Sequence, residues 1–157
     1  MIIGFLMIGS TNVFAQKSDF SGIWTFNESK STRPESGFFS PASKITVKQD
    51  NLTLNAERVS TGRNGEERIT NEKINLDGKV SENVVFQDRT RKSTATWSAD
   101  GEILEINSMM NFEMNGQTRE MKSSEKWKLS ADKSTLTIES TSQGRDGEMK
   151  STLVYNK

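Results

Sequence analysis

Asn or Asp followed directly by Gly occurs five times in this chain, at Asn64-Gly65, Asp77-Gly78, Asp100-Gly101, Asn115-Gly116 and Asp146-Gly147. These residue types tolerate the positive φ that a tight hairpin turn demands, so each dipeptide predicts a reversal between antiparallel strands. The stretches between them alternate as half-buried strands do. In Leu104, Ile106, Ser108, Met110, Phe112 and Met114 the even positions are mostly apolar, while Glu105, Asn107, Asn111 and Glu113 between them are polar, and only Met109 breaks the pattern. The same period of two recurs in Ile45 and Val47, in Leu52 and Leu54, in Val80, Val84 and Phe86, and in Leu136 and Ile138. No stretch keeps a helical period.

Strands are therefore predicted near 20–27, 44–50, 51–59, 66–76, 79–86, 91–98, 102–114, 117–129, 135–142 and 147–155. Short turns between consecutive strands make an up-and-down meander, and a sheet this wide is better closed than left with two free edges. The expectation is an all-β fold, an antiparallel meander closing into a β-barrel of about 8–10 strands. One connection is long. Glu28 to Ser43 holds both prolines, Pro34 and Pro41, together with Phe38-Phe39. A weak repeat sets Glu72-Lys73-Ile74-Asn75-Leu76 against Glu125-Lys126-Trp127-Lys128-Leu129, and Met121-Lys122-Ser123-Ser124 against Met149-Lys150-Ser151-Thr152. Its content is a repeated hairpin whose half-strand next to the turn is polar and whose far half-strand meets the core.

At 157 residues the chain suits one domain with its own core. A hydrophobic content of 32% predicts that this core is thin or partly polar. Lys plus Arg and Asp plus Glu number 21 each, so no global field draws the protein to nucleic acid or to an anionic membrane surface. Cysteine and histidine are both absent. Their loss removes disulfides, Ser-His-Asp and Cys-His triads, most zinc and iron sites, and a lipoprotein-anchoring cysteine. No catalytic residue, metal site or cofactor is expected. No feature of the sequence sets an oligomeric state.

The first residues differ from the rest. An apolar run, Ile2-Ile3-Gly4-Phe5-Leu6-Met7-Ile8, is followed by Val13-Phe14-Ala15-Gln16, with no charged side chain. Val13 and Ala15 put small residues three and one before a cut after Ala15, as a signal peptidase requires, and the run is too short to span a bilayer. Residues 1–15 are read as a cleaved signal peptide and 16–157 as a single barrel domain, secreted or periplasmic and without a transmembrane span. No basic residue precedes the apolar run, which departs from the usual signal pattern.

After this segment the chain runs Asp19-Phe20-Ser21-Gly22-Ile23-Trp24-Thr25-Phe26-Asn27. Through Gly22-x-Trp24 it resembles the first strand of lipocalins and of lipocalin-like proteins of bacterial envelopes. The resemblance implies a lipocalin-like barrel with the Trp closing its bottom, and a long first loop over a mouth where small apolar or amphipathic molecules enter. Glu28 to Ser43 sits where that loop would be. Lipocalins have eight strands, a C-terminal helix, a Thr-Asp-Tyr loop motif and an Arg near the end of the last strand that stacks on the Trp. This chain has about ten predicted strands and none of the other three features.

Strand parity nominates an interior. Counting from Trp127 and Leu129, the inward face takes in Arg119, Met121, Ser123 and Glu125; from Ile74 and Leu76 it takes in Arg68, Thr70 and Glu72. Counting from Trp97 adds Arg91 and Ser93, and from Leu52 and Leu54 it adds Arg58. Buried charges must pair, meet water or meet a ligand. One reading is a polar or anionic headgroup held by Arg58, Arg68, Arg91 and Arg119 with Glu72 and Glu125, above an apolar floor of Trp24, Trp97 and Trp127. The other is that the strands outrun the core and these charges sit in solvent. Glu72 and Glu125 also suggest a glycosidase-like carboxyl pair, but their equivalence in the repeat accounts for them without chemistry. Phe38 and Phe39 are either a lid on a ligand or a plug of the barrel end. The expected site is thus Trp24, Phe38, Phe39, Arg68, Glu72, Trp97, Arg119, Glu125 and Trp127. The expected function is non-enzymatic binding of a small apolar or amphipathic molecule, with a side-chain-filled barrel working through its surface as the alternative.

Overall fold

The computed structural model describes residues 16–34, 40–62, 64–85, 89–144 and 147–157. The segment read as a signal peptide, and Phe38 and Phe39, lie outside these. The described chain forms ten antiparallel strands: β1 Gly22–Phe26, β2 Lys44–Gln49, β3 Thr53–Thr61, β4 Glu67–Asn75, β5 Ser81–Val84, β6 Thr90–Trp97, β7 Ile103–Met114, β8 Gln117–Leu129, β9 Thr135–Gly144 and β10 Gly147–Asn156. Every predicted strand is present, with ends displaced by two residues at most, because turn chemistry and alternation point to the same boundaries. The one helical element is a turn of 3-10 helix, Glu28–Lys30, capped by the Asn27 side chain accepting from the Lys30 N–H.

Consecutive strands pair as a meander, and β1 pairs with β10, which wraps the sheet into a nearly closed barrel. The β7–β8 hairpin turns on Asn115 (φ +55) and Gly116 (φ +71), with Met114 opposite Gln117. Two consecutive positive φ values mark the primed turn whose twist matches the strands. A turn that the Asn/Asp-Gly pattern missed joins β8 to β9, where Lys133 adopts φ +57 and its N–H donates to the Ser130 carbonyl.

No backbone ladder joins β4 to β5 among the described residues. Side chains bridge them instead. Asn83 Nδ2 donates to the Lys73 carbonyl at 3.1 Å while its Oδ1 accepts the Lys73 N–H at 2.8 Å, so one amide side chain stands in for a peptide unit. Ser81 Oγ accepts the Asn75 N–H at 2.7 Å in the same way.

The core gathers at the lower end, where Gly22-x-Trp24 begins β1. Trp24, Phe20, Ile45, Leu54, Leu104, Trp127, Leu136 and Ile138 are fully buried there. Phe20 stacks on Trp97 (centroids 6.0 Å apart) and meets Trp127 edge-on at 5.7 Å. The segment leading to β1 crosses this floor and is tied down by polar groups: Ser18 N–H to the Gly101 carbonyl (2.9 Å), Gln49 Nε2 to the Ser18 carbonyl (2.8 Å) and Trp24 Nε1 to the Phe20 carbonyl (2.9 Å). In place of the arginine that stacks on the lipocalin Trp, Lys157 Nζ lies 5.4 Å above the Trp24 ring. Gly22, at φ +147, is where a Cβ would come within 3.0 Å of Lys157 Cε.

Gly101 tests this floor. Its φ is +72, and an added Cβ would lie 3.1 Å from the Gln16 carbonyl oxygen and 3.2 Å from Lys17 Cα, both backbone atoms that cannot swing aside. Gly116 has a similar φ of +71 with nothing within 4 Å. Urea unfolding should therefore find Gly116→Ala costing about 1 kcal/mol, the left-handed term alone, and Gly101→Ala costing about 2 kcal/mol or more. Equal costs would mean that the 16–18 segment does not press on the β6–β7 turn.

Candidate functional site

Above the floor the inward face of the barrel turns polar. On β3 the alternation that buries Leu54 and Ala56 continues to Arg58, and on β4 it carries Glu72 below Thr70. Glu125 follows from Trp127 on β8, and Arg91 from Ser93 and Ala95 on β6. Closing the sheet brings these four side chains together. Arg58 reaches across the lumen to Glu125, its Nη2–H donating to Oε2 at 2.6 Å and its Nη1–H to Oε1 at 3.2 Å, a two-pronged pair between β3 and β8. Arg91 Nη1–H donates to Glu72 Oε1 at 2.8 Å and so spans the break between β4 and β5. Arg58 Nε lies 3.4 Å from Glu72 Oε2 without a hydrogen bond, and this contact joins the two pairs into one network. Glu125 Oε2 also accepts the Trp127 indole N–H at 2.8 Å, and the Arg58 guanidinium lies 5.3 Å from the Trp127 ring centre.

This layer divides the barrel. Beneath it lies the packed aromatic floor; above it is a cavity of about 280 Å³, bounded by Arg58, Glu72, Arg91, Glu125 and Tyr155, with Ser60, Thr70 and Ser140 around them. Its apolar wall is Pro41, Ala42, Val85, Met110 and Leu153, and Pro41 and Ala42 come from the long β1–β2 connection. Larger grooves lie elsewhere, one of about 540 Å³ over β2, β3 and β4 that runs to Asn83 and touches Ala56 and Glu72 at the break between β4 and β5. That groove is lined mainly by solvated side chains such as Lys48, Asn55, Asn71 and Lys73 and holds no buried polar atom lacking a partner. The internal cavity is therefore the better candidate.

Electrostatics keep the four charges in place. Burial works against the Arg58 charge and against the Glu125 charge, yet each is the other's chief remedy. The Glu125 and Glu72 carboxylates hold the Arg58 guanidinium firmly protonated, and Arg58, with the Trp127 N–H, holds the Glu125 carboxyl below the usual glutamate range. Tyr155 is different. Burial pushes its hydroxyl up to about 12, and that hydroxyl has no hydrogen-bond partner among the described residues. A buried donor left unmade costs about 1 kcal/mol or more. Tyr155→Phe should accordingly stabilise the ligand-free protein by about 1 kcal/mol, read as a higher urea midpoint at unchanged slope.

Of the residues nominated from sequence, Glu72 and Glu125 line the cavity. Trp24 and Trp127 are fully buried in the floor beneath the charge layer, and Trp97 is partly buried beside them. Arg68 lies outside, paired with Glu66, and Arg119 is exposed on the upper part of β8. Arg58 and Arg91 supply the cations. Sequence reasoning passed over Tyr155 as a site residue, although parity with Ser151 and Leu153 on the last strand carries that signal. No group of three or more acidic residues that could hold a metal ion occurs among the described residues. No helix in them is long and apolar enough to cross a membrane.

No protein-family model matches the chain. No curated protein sequence matches it either. Among solved structures it is similar to a zebrafish ileal bile acid-binding protein complexed with cholic acid, at a TM-score of 0.55 and 14% identity, over 88% of this chain and 98% of that one. At that identity the likeness shows the fold alone, a lipocalin-like β-barrel.

Proposed function

We propose that this protein is a non-enzymatic carrier or sensor that holds a small amphipathic molecule inside its barrel, with the polar end of the ligand on the Arg58, Glu125 and Tyr155 layer. The observation that carries this reading is the internal cavity bounded by two ion pairs and by a buried hydroxyl with no partner. Arg58, Glu125 and Tyr155 all sit on strands rather than loops, so the site is preformed. The orientation follows from the packing. The tryptophan floor is filled by Phe20, so the apolar part of the ligand runs upward, along Met110, Leu153 and Val85, toward the segment containing Pro41 and Ala42. The fold likeness to a protein complexed with cholic acid is consistent with an amphipathic cargo. The apolar run from Ile2 to Ile8, followed by small residues at Val13 and Ala15, supports export, and with it a secreted or periplasmic place of work.

Native mass spectrometry of the protein purified from its own host, followed by denaturing extraction, tests the reading. A stoichiometric small molecule released on unfolding supports it. A second reading, a barrel filled by its own side chains that works through its surface, draws on the packing of Phe20 between Trp97 and Trp127. It gains if the protein is empty and binds no amphiphile in calorimetry.

A further inference from the structure

The charge balance of the cavity and its unused hydrogen-bonding capacity say what kind of head the ligand carries, an inference that rests on the binding reading above. Arg58 and Arg91 face Glu72 and Glu125, so the layer sums to zero. Each contact among them, Arg58 with Glu72 and Glu125 and Arg91 with Glu72, is between opposite charges. A carboxylate or an ammonium entering the cavity would be a fifth charge in a layer whose four charges already cancel. Either is costly where water is scarce. The groups left over are donors. The Tyr155 hydroxyl is buried with no partner, and the Arg58 Nε–H makes no hydrogen bond although it lies 3.4 Å from Glu72 Oε2. Both belong to residues lining the cavity. A neutral oxygen can accept from them while leaving both ion pairs intact.

We propose that the barrel selects uncharged amphiphiles headed by a neutral acceptor oxygen, a hydroxyl or a carboxamide, over fatty acids and amines of the same length. Size narrows the class. At the ~30 Å³ that a water occupies in the liquid, a cavity of about 280 Å³ takes a head and a short chain, with any longer tail leaving by the mouth. Eight-carbon compounds are suitable probes.

Isothermal titration of the full-length mature chain at pH 7 with octan-1-ol, octanamide, octanoate and octylamine tests the proposal. The alcohol and the amide are expected to bind at least tenfold more tightly than the two ions. Octanoate binding as well as octanol overturns the selectivity and leaves the binding reading standing. If none of the four binds, and no molecule is retained from the host, the binding reading fails and takes the selectivity with it. Two variants locate the cause. Tyr155→Phe, isosteric but for the donor, should weaken octanol and octanamide fivefold to tenfold, the loss of one hydrogen bond. Glu125→Gln leaves Arg58 short of one negative charge, and the octanol-to-octanoate preference should fall tenfold or more. An unchanged preference in a Glu125→Gln protein that keeps its native amide spectrum overturns the charge-balance argument.

Discussion

Arg58→Met should lower the unfolding free energy by about 3 kcal/mol and reverse part of the protein's response to acid. Removing one member of a buried pair costs roughly 3–5 kcal/mol, because the partner stays buried without compensation. Here the lower end applies, since the Arg58 and Glu125 side chains retain 19% and 23% of their exposure. Arg58 is the only cation that makes a hydrogen-bonded pair with Glu125 among the described residues, while Glu72 keeps Arg91. In the native protein the Glu125 carboxyl is held below its ordinary value of 4.5. Its contribution to stability is therefore complete above that value and is lost as the pH falls through the lower folded value. In Arg58→Met burial, the largest influence on Glu125, is opposed only by the Trp127 N–H and the more distant Arg91 charge, and it raises the pKa. The folded variant then binds a proton more tightly than the unfolded chain, so its stability rises as the pH falls toward 5. Urea unfolding of the two proteins between pH 7 and pH 4 should show the gap between them narrowing on acidification. A gap that stays constant would mean that Arg58 contributes through packing on Trp127 and not through charge.

Phe20→Ala should cost about 4 kcal/mol, in the range measured for large aromatic truncations in cores. The residue precedes the first strand, where a terminal segment is usually dispensable. In this barrel it is fully buried between Trp97 and Trp127, its carbonyl accepts the Trp24 indole N–H, and its N–H donates to Gln49 Oε1 at 3.1 Å. The alanine variant leaves a hole beneath the charge layer that neighbouring strands cannot close without breaking the β1–β2 register. Guanidinium or urea unfolding checks the cost, and tryptophan emission shifted to longer wavelength checks that water has reached the floor. A cost under about 1 kcal/mol would show that the segment rests on the barrel and does not seal it.

The cavity takes in fewer of the inward-parity residues than strand parity alone suggested, and the reason is visible along β3 and β8. Parity says which side of a sheet a residue faces, and it placed Arg58, Glu72, Arg91 and Glu125 inward. It equally placed Arg68 and Arg119 inward, because the alternation continues after the strand has risen past the core. Height along the barrel separates the two groups. Arg58 stands level with Ile45 and Thr70 in the ladder and is enclosed, whereas Arg119 stands opposite Phe112, above the last pairing of β7 with β6, and is open to solvent.

The sequence by itself determined the strands, their turns and their inward faces. Asn/Asp-Gly dipeptides and a period of two are local properties of the backbone, and they act the same way wherever the strand ends up. Gly22-x-Trp24 likewise predicted where the apolar end of the barrel lies. Only the tertiary structure decided the rest. That Arg58 finds Glu125 across 67 residues, that the Asn83 side chain replaces a ladder between β4 and β5, that Phe20 fills the floor and that Lys157 covers Trp24 all depend on how far the sheet curls and which strands meet on closure. Those distances are set by strand tilt and stagger around the whole barrel, quantities that no local pattern encodes.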